Sequence, residues 1–117
     1  MLTLPPSIRI FVCTVPTDMR RGFDGLARMA QDLVRQDPLS GHFFVFLNRR
    51  RDRVKILYWD RDGLCIWYKR LERGRFHFPP AGAASLALTP GQLQMILDGV
   101  DVERVRRFKR YQRPPPA

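Results

Sequence analysis

Cysteine, histidine, acidic residues and long apolar runs are all scarce in this chain, and each scarcity excludes something. Two cysteines, Cys13 and Cys65, with no CxxC pair, exclude a disulfide framework and a cysteine-based zinc site. Both lie in apolar, strand-like runs and read as buried, inert thiols. The two histidines, His42 and His77, stand alone beside phenylalanines, and no Cys/His spacing suits zinc. No apolar run nears the ~18 residues that cross a bilayer. The opening MLTLPPSIRIFV lacks the charged start, long apolar centre and small-residue cleavage site of a signal peptide. A cytoplasmic protein with no membrane partner is expected. Neither GxxxxGK[ST] nor GxGxxG occurs, so no glycine-rich phosphate loop is present. The eleven acids mostly sit at turns (Asp37, Asp52, Asp60, Asp62) or helix caps (Asp18, Asp98), where local hydrogen bonding explains them. A nuclease or transposase needs carboxylates converging on Mg²⁺, and Ser7, Ser40 and Ser85 lack a nearby base. No catalytic residue, metal or cofactor is expected, and the protein reads as a non-enzyme.

What the chain does have is core-forming residues and localised positive charge. Its 117 residues with 44% hydrophobic content fit one domain and argue against disorder. Asn48 to Phe76 holds ten Lys/Arg against four Asp/Glu, interleaved with Tyr58, Trp59, Trp67 and Tyr68. Asp101 to Arg113 holds six Lys/Arg against two acids, and these two segments carry the whole net charge of +10. Charge so confined has the form of a footprint for a polyanion, since cations neutralise phosphates while rings stack on bases or sugars. Arginine outnumbers lysine 18 to 3, which suits bidentate phosphate and guanine contacts. A GC-rich genome accounts for that ratio equally well, but not for the placement of the charge.

The element order is β-α-β-β-β(-β)-α. Ile8 to Val15 reads as a first strand between prolines, and Thr17 or Asp18 as an N-cap. Met19, Phe23, Leu26, Ala27, Ala30, Leu33 and Val34 trace one apolar helix face ending near Gln36, with Gly22 and Gly25 loosening its first turns so that the firm helix starts at Phe23. Phe43 to Leu47, Arg53 to Trp59 and Leu64 to Leu71 read as strands, with Arg49 to Arg51 as a basic connection. Asp60-Arg61-Asp62-Gly63 is a turn in which Gly63 takes the positive φ of a bulged hairpin. Closing that turn sets Trp59 opposite Leu64, Leu57 opposite Ile66 and Lys55 opposite Tyr68; on the other face Tyr58 meets Cys65, Ile56 meets Trp67 and Val54 meets Lys69. Both faces are apolar, so the spacing does not say which aromatics are exposed. A short strand is expected at Arg75 to Phe78, a linker at Pro79 to Ser85, and a helix capped by Thr89-Pro90 and stopped by Gly99. The fold class is α+β, an antiparallel sheet with helices packed on one side. Residues 1–100 form the domain, and 101–117 a basic C-terminal helix or tail.

The candidate nucleic-acid contacts are Arg49, Arg50, Arg51, Arg53 and Lys55 at the hairpin, joined by Lys69, Arg70, Arg73 and Arg75. Secondary contacts to nucleic acid or a partner are Arg20, Arg21, Arg104, Arg106, Arg107, Lys109 and Arg110. For the aromatics, core packing competes with stacking on bases. For the tail, a solvated terminus competes with a phosphate-binding arm. For Asp18, Arg20, Arg21 and Asp24, an Asp-Arg pairing that orders the Gly22 turn competes with a partner-facing patch.

Three segments carry a family resemblance: PTDMRRGFDGLA (Pro16 to Ala27), DPLSGHFFVFLNRRRDRVKILYWDRDGLCIWYKRLERGRF (Asp37 to Phe76) and LTPGQLQMILDGVD (Leu88 to Asp101). Together they resemble the small accessory protein called TnpB or Orf2 of the insertion-sequence-66 family of bacterial mobile elements. The resemblance implies a non-catalytic role in DNA transposition beside a separate, larger transposase, and brings no catalytic residues with it. The expected partners are DNA at element ends, the transposase and other element-encoded proteins; self-association is left open. The alternative is a protein-interaction adaptor that binds the transposase without touching DNA. A third reading, nuclease activity, has no motif behind it.

Overall fold

The computed structural model describes residues 2–102 and 108–116. Strands β1 (Ile10–Cys13), β2 (Phe43–Leu47), β3 (Arg53–Asp60), β4 (Gly63–Arg70) and β5 (Ser85–Leu88) form one open sheet in the order β4-β3-β2-β1-β5. Helix α1 (Phe23–Met29), continued by a π-helical turn over Ala30–Val34, connects β1 to β2, which pair in parallel. Every other neighbour is antiparallel. The α+β class holds, with this one parallel pair set into an antiparallel sheet; a helix long enough to carry the chain back permits it.

Strand alternation builds two cores. Phe11, Cys13, Phe44, Phe46 and Leu57 pack against Leu26, Met29, Ala30 and Val34. Ile10, Val12, Val45, Val54 and Ile56 pack against Leu93, Ile96 and Leu97 of helix α2 (Pro90–Leu97), together with Phe76. The helices therefore cover opposite faces of the sheet rather than one, which corrects the one-sided packing expected above. The run FFVFL already signals this, because a strand apolar at every position is buried on both faces; all five of its residues are buried.

The β3–β4 register is the expected one throughout, from Asp60 opposite Gly63 to Val54 opposite Lys69. The turn is tighter than expected. Arg61 takes the positive φ of 54°, and Gly63 belongs to the strand. At α1 the cap is Gly22, without a side-chain bond, so neither Thr17 nor Asp18 caps it; the helix does begin at Phe23. Phe23 itself is 50% exposed, so the apolar face starts at Leu26. Arg75–Phe78 is not a strand. Phe76 is instead driven singly into the core, fully buried, while the fifth strand forms at Ser85–Leu88, overlapping the expected linker. Cys13 is buried and Cys65 only half-buried.

Helix α2 begins with a capping box: Gln92 N donates to Thr89 Oγ1 at 3.1 Å and Thr89 N to Gln92 Oε1 at 3.0 Å. It ends in a Schellman pair, Gly99 N to Ile96 O and Val100 N to Met95 O, with Gly99 at φ 81°. Thr89→Ala is expected to lower stability by about 1 kcal/mol. The check is a reduced urea midpoint at unchanged slope.

Candidate nucleic-acid interface

Parallel pairing of β1 and β2 decides where the cations go, because it brings the carboxyl ends of both strands to one end of the sheet. Residues 14–22 follow β1 there, residues 48–52 lead from β2 to Arg53, the first residue of β3, and residues 71–84 lead from Arg70, the last residue of β4, to β5. With those two strand ends, the segments carry nine arginines (Arg20, Arg21, Arg49, Arg50, Arg51, Arg53, Arg70, Arg73 and Arg75) against Asp18, Asp52 and Glu72. The opposite end is balanced, with Asp37, Asp60 and Asp62 against Arg9, Arg35 and Arg61.

Backbone hydrogen bonds join these segments, among them one from Thr14 N to Ala84 O at 2.9 Å. Thr17 N donates to Leu47 O at 2.8 Å, Leu71 N to Asp52 O at 2.7 Å and Phe76 N to Arg51 O at 2.7 Å. Within the central loop Asn48 Nδ2 donates to Asp52 Oδ1 at 2.6 Å, and Arg53 N to Asn48 Oδ1 at 3.0 Å. Asn48, Asp52 and Phe76 thus position the arginines, Asp52 while adding one opposing charge. Asp52 sits at a turn as its sequence context suggests; the part played by Asn48 and Phe76 depends on contacts that no local pattern announces.

The arginines at this end fall into two groups. Arg49, Arg50, Arg51, Arg73 and Arg75 are exposed and make no ion pair among the described residues. Arg49 and Arg51 line an open groove of about 720 Å³ whose walls include Val15, Leu47, Phe78 and Pro80. Of the others, Arg20, Arg53 and Arg70 are engaged through their side chains, whereas Arg21 offers its backbone carbonyl and its side chain stays exposed. Arg53 Nη1 donates to Tyr68 Oη at 3.2 Å, Lys55 Nζ donates to Arg21 O at 2.9 Å, and Lys55 lies 4.8 Å above the Tyr68 ring. Arg70 pairs with Glu72 at 2.8 Å and Arg20 with Asp18 at 2.7 Å. Of the four hairpin aromatics Tyr68 is the exposed one, at 46%, and it carries that lysine on its face.

Lys69 does not join the cluster. Alternation turns it to the α2 face, where it lines a groove with Trp67, Leu97 and Asp98. Arg110 is turned inward as well: its guanidinium donates to Leu97 O at 3.2 Å and Ile96 O at 3.3 Å, and lies 5.3 Å above the Phe76 ring. Burial lowers its pKa from the ordinary value. Phe108 stacks on His77 at 3.7 Å and donates its N–H to Gly99 O. These contacts dock the tail onto the fold near Arg51 and Arg75, while Lys109 stays exposed. Arg104, Arg106 and Arg107 lie outside the described residues, and 108–116 contain no helix.

The Asp18 carboxyl is held down to about 2 by the Arg20 side chain first, then by the Arg20 backbone N–H. A lowered folded-state pKa means that any stability from this pair is fully present above the unfolded value of 3.8 and is lost progressively as pH falls from there through about 2. The exposure of both side chains keeps that contribution small. In a ¹³C NMR titration the Asp18 midpoint is expected near 2, returning to the ordinary carboxylate range in Arg20→Ala. Equal midpoints in the two proteins contradict the pairing.

A family model described as "IS66 Orf2 like protein" matches residues 8–107. The chain belongs to the IS66 Orf2-like family. Membership points to an accessory role in transposition and to no known catalytic family. Two relatives come from Sinorhizobium fredii (strain NBRC 101917 / NGR234). "Uncharacterized protein y4hO" is 40% identical over 101 residues, covering 86% of this chain and 88% of the relative. "Uncharacterized protein y4jC" is 39% identical over 107 residues, covering 92% and 91%. No solved structure matches. Among the described residues no helix is long and apolar enough to cross a membrane, and no three His, Cys, Asp or Glu side chains gather to hold a metal ion.

Proposed function

We propose that this IS66 Orf2-like protein is a non-catalytic accessory of transposition that docks on DNA, at element ends or in a transposase–DNA complex, through the arginine-rich end of its sheet. The observation that supports this reading is the gathering of Arg49, Arg50, Arg51, Arg73 and Arg75, exposed and without ion pairs among the described residues, on loops joined by backbone hydrogen bonds. Such an end presents several guanidiniums to a phosphate ridge with little reorganisation, each contact releasing counterions. Arg53, Lys55, Arg20, Arg21 and Arg70 flank this surface and add to its field, whereas Lys69 and Arg110 are withdrawn from it by their placement.

One of these arginines also carries backbone strain, as Arg35 and Arg61 do at the other end of the sheet. Arg51 sits at φ 60°, in the left-handed region that glycine favours and that costs other residues about 1 kcal/mol or more.

Gel-shift titration against element-end and random duplexes at two salt concentrations tests the proposal. About six phosphate contacts give a log-log salt slope near −5. No shift at low salt, together with co-purification of the transposase, overturns DNA docking in favour of the adaptor.

A further inference from the structure

The two edges of the sheet are treated differently. At one, β5 is four residues long, a length that limits edge-to-edge pairing. At the other, β4 runs for eight residues, and Gly63 to Tyr68 includes neither proline nor charge. Among the described residues, no hydrogen bond outside the β3–β4 ladder reaches the backbone of Leu64 to Arg70. An edge of this length, apolar and unblocked, is a template for another strand.

We infer that β4 pairs with β4 of a second copy, antiparallel about a two-fold axis at Ile66. The occupant is chosen by charge. One end of the strand adjoins Asp60, Arg61 and Asp62, net negative; the other carries Lys69 and Arg70, with Glu72, Arg73 and Arg75 beyond, net positive. Parallel pairing stacks two arginine-rich ends side by side. Antiparallel pairing sends them to opposite ends of a continuous ten-stranded sheet, which follows from doubling the five observed strands.

The same charges fix the register. A two-fold at Ile66 places Asp62 opposite Arg70, Cys65 opposite Trp67 and Leu64 opposite Tyr68. At Ile66 the like charges Asp60 and Glu72 come opposite each other only outside the paired span 62–70; moving the axis to Cys65 sets Arg61 against Lys69, moving it to Trp67 sets Asp62 against Glu72 and Arg61 against Arg73, and neither shift keeps Asp62 opposite Arg70. At Ile66 the apolar side chains of both copies meet on both faces, covering Tyr68 on one and Trp67 on the other.

Sedimentation equilibrium of the full chain over a range of concentrations, without nucleic acid, tests the inference independently of DNA docking. Dimer is expected. Asp62→Arg alone or Arg70→Asp alone is expected to weaken it roughly tenfold, since the symmetry doubles each like-charge clash. The double variant, Asp62→Arg with Arg70→Asp, is expected to restore it. Both positions are on the surface, and thermal melts confirm that each variant folds. Amide exchange at residues 64–68 is expected to slow as protein concentration rises. A monomer at every concentration, a dimer indifferent to the single reversals, no restoration by the double variant, or exchange at 64–68 that ignores concentration each overturns the pairing.

Discussion

Replacing Arg49, Arg50 and Arg51 together with alanine is expected to weaken duplex binding roughly a hundredfold at moderate salt, about 3 kcal/mol shared among three charge-assisted contacts. The salt slope is expected to fall from near −5 to near −3, because half of the phosphate contacts have gone. The loss should be of similar size on element-end and random DNA if these arginines meet phosphates. A loss confined to element ends would place at least one of them on a base edge. Folding should survive the triple change: all three side chains are exposed, and the loop is held by Asn48, Asp52 and the backbone bonds from Leu71 and Phe76.

Arg51→Gly separates charge from architecture within that set. Glycine relieves the left-handed strain at φ 60° but adds backbone freedom to the unfolded chain, so stability is expected to stay within about 1 kcal/mol of the parent. The Phe76 N–H still finds the residue 51 carbonyl. Affinity should nevertheless fall, with the slope reduced by about 1. A thermal midpoint near that of the parent combined with weaker binding identifies Arg51 as a contact residue; unchanged binding removes it from the interface.

The register of the β3–β4 hairpin was legible in the sequence, because Asp60 to Gly63 closes the turn and alternation then sets every pair, although the strands run Arg53–Asp60 and Gly63–Arg70 and the positive φ falls on Arg61. The faces were not legible. Helices cover both sides of the sheet, so apolar residues at odd and even positions carry the same signal. Ser85–Leu88 was hidden for a different reason: a four-residue edge strand of small and aliphatic side chains resembles the linker before it, and pairing with β1 rather than propensity makes it a strand. Phe76 and Phe78 resemble strand residues, yet Phe76 is held by burial and by the Arg51 carbonyl. The runs at Arg20–Arg21, Arg49–Arg53 and Arg70–Arg75 were each visible alone. Their convergence was not, since it depends on the parallel β1–β2 pair and on long-range backbone bonds. Lys69 could have been set apart from Arg70 by alternation alone, once the register was fixed. Arg110 gave no such signal, because the carbonyls it caps lie 13 and 14 residues earlier in the chain.

Phe76 is where core, loops and tail meet, and Phe76→Ala is expected to be among the most damaging single changes in the molecule. The ring is fully buried among the residues packed under α2, and truncating such a ring costs about 3–5 kcal/mol in transfer and cavity terms. In a domain of this size that lowers the thermal midpoint by more than about 10 °C. The effect should extend past the cavity, because Arg110 lies over the ring and donates to the last carbonyls of α2. Arg110→Ala alone removes that cap and is expected to cost about 1–2 kcal/mol. Residues that share a contact do not act independently, so the double variant should lose less than the two single losses combined, by roughly 0.5 kcal/mol or more. Full additivity in a double-mutant cycle would mean that the tail docks without reference to Phe76. Sub-additivity would show that the core residue between the arginine loops also seats the tail, coupling the second basic segment to the first.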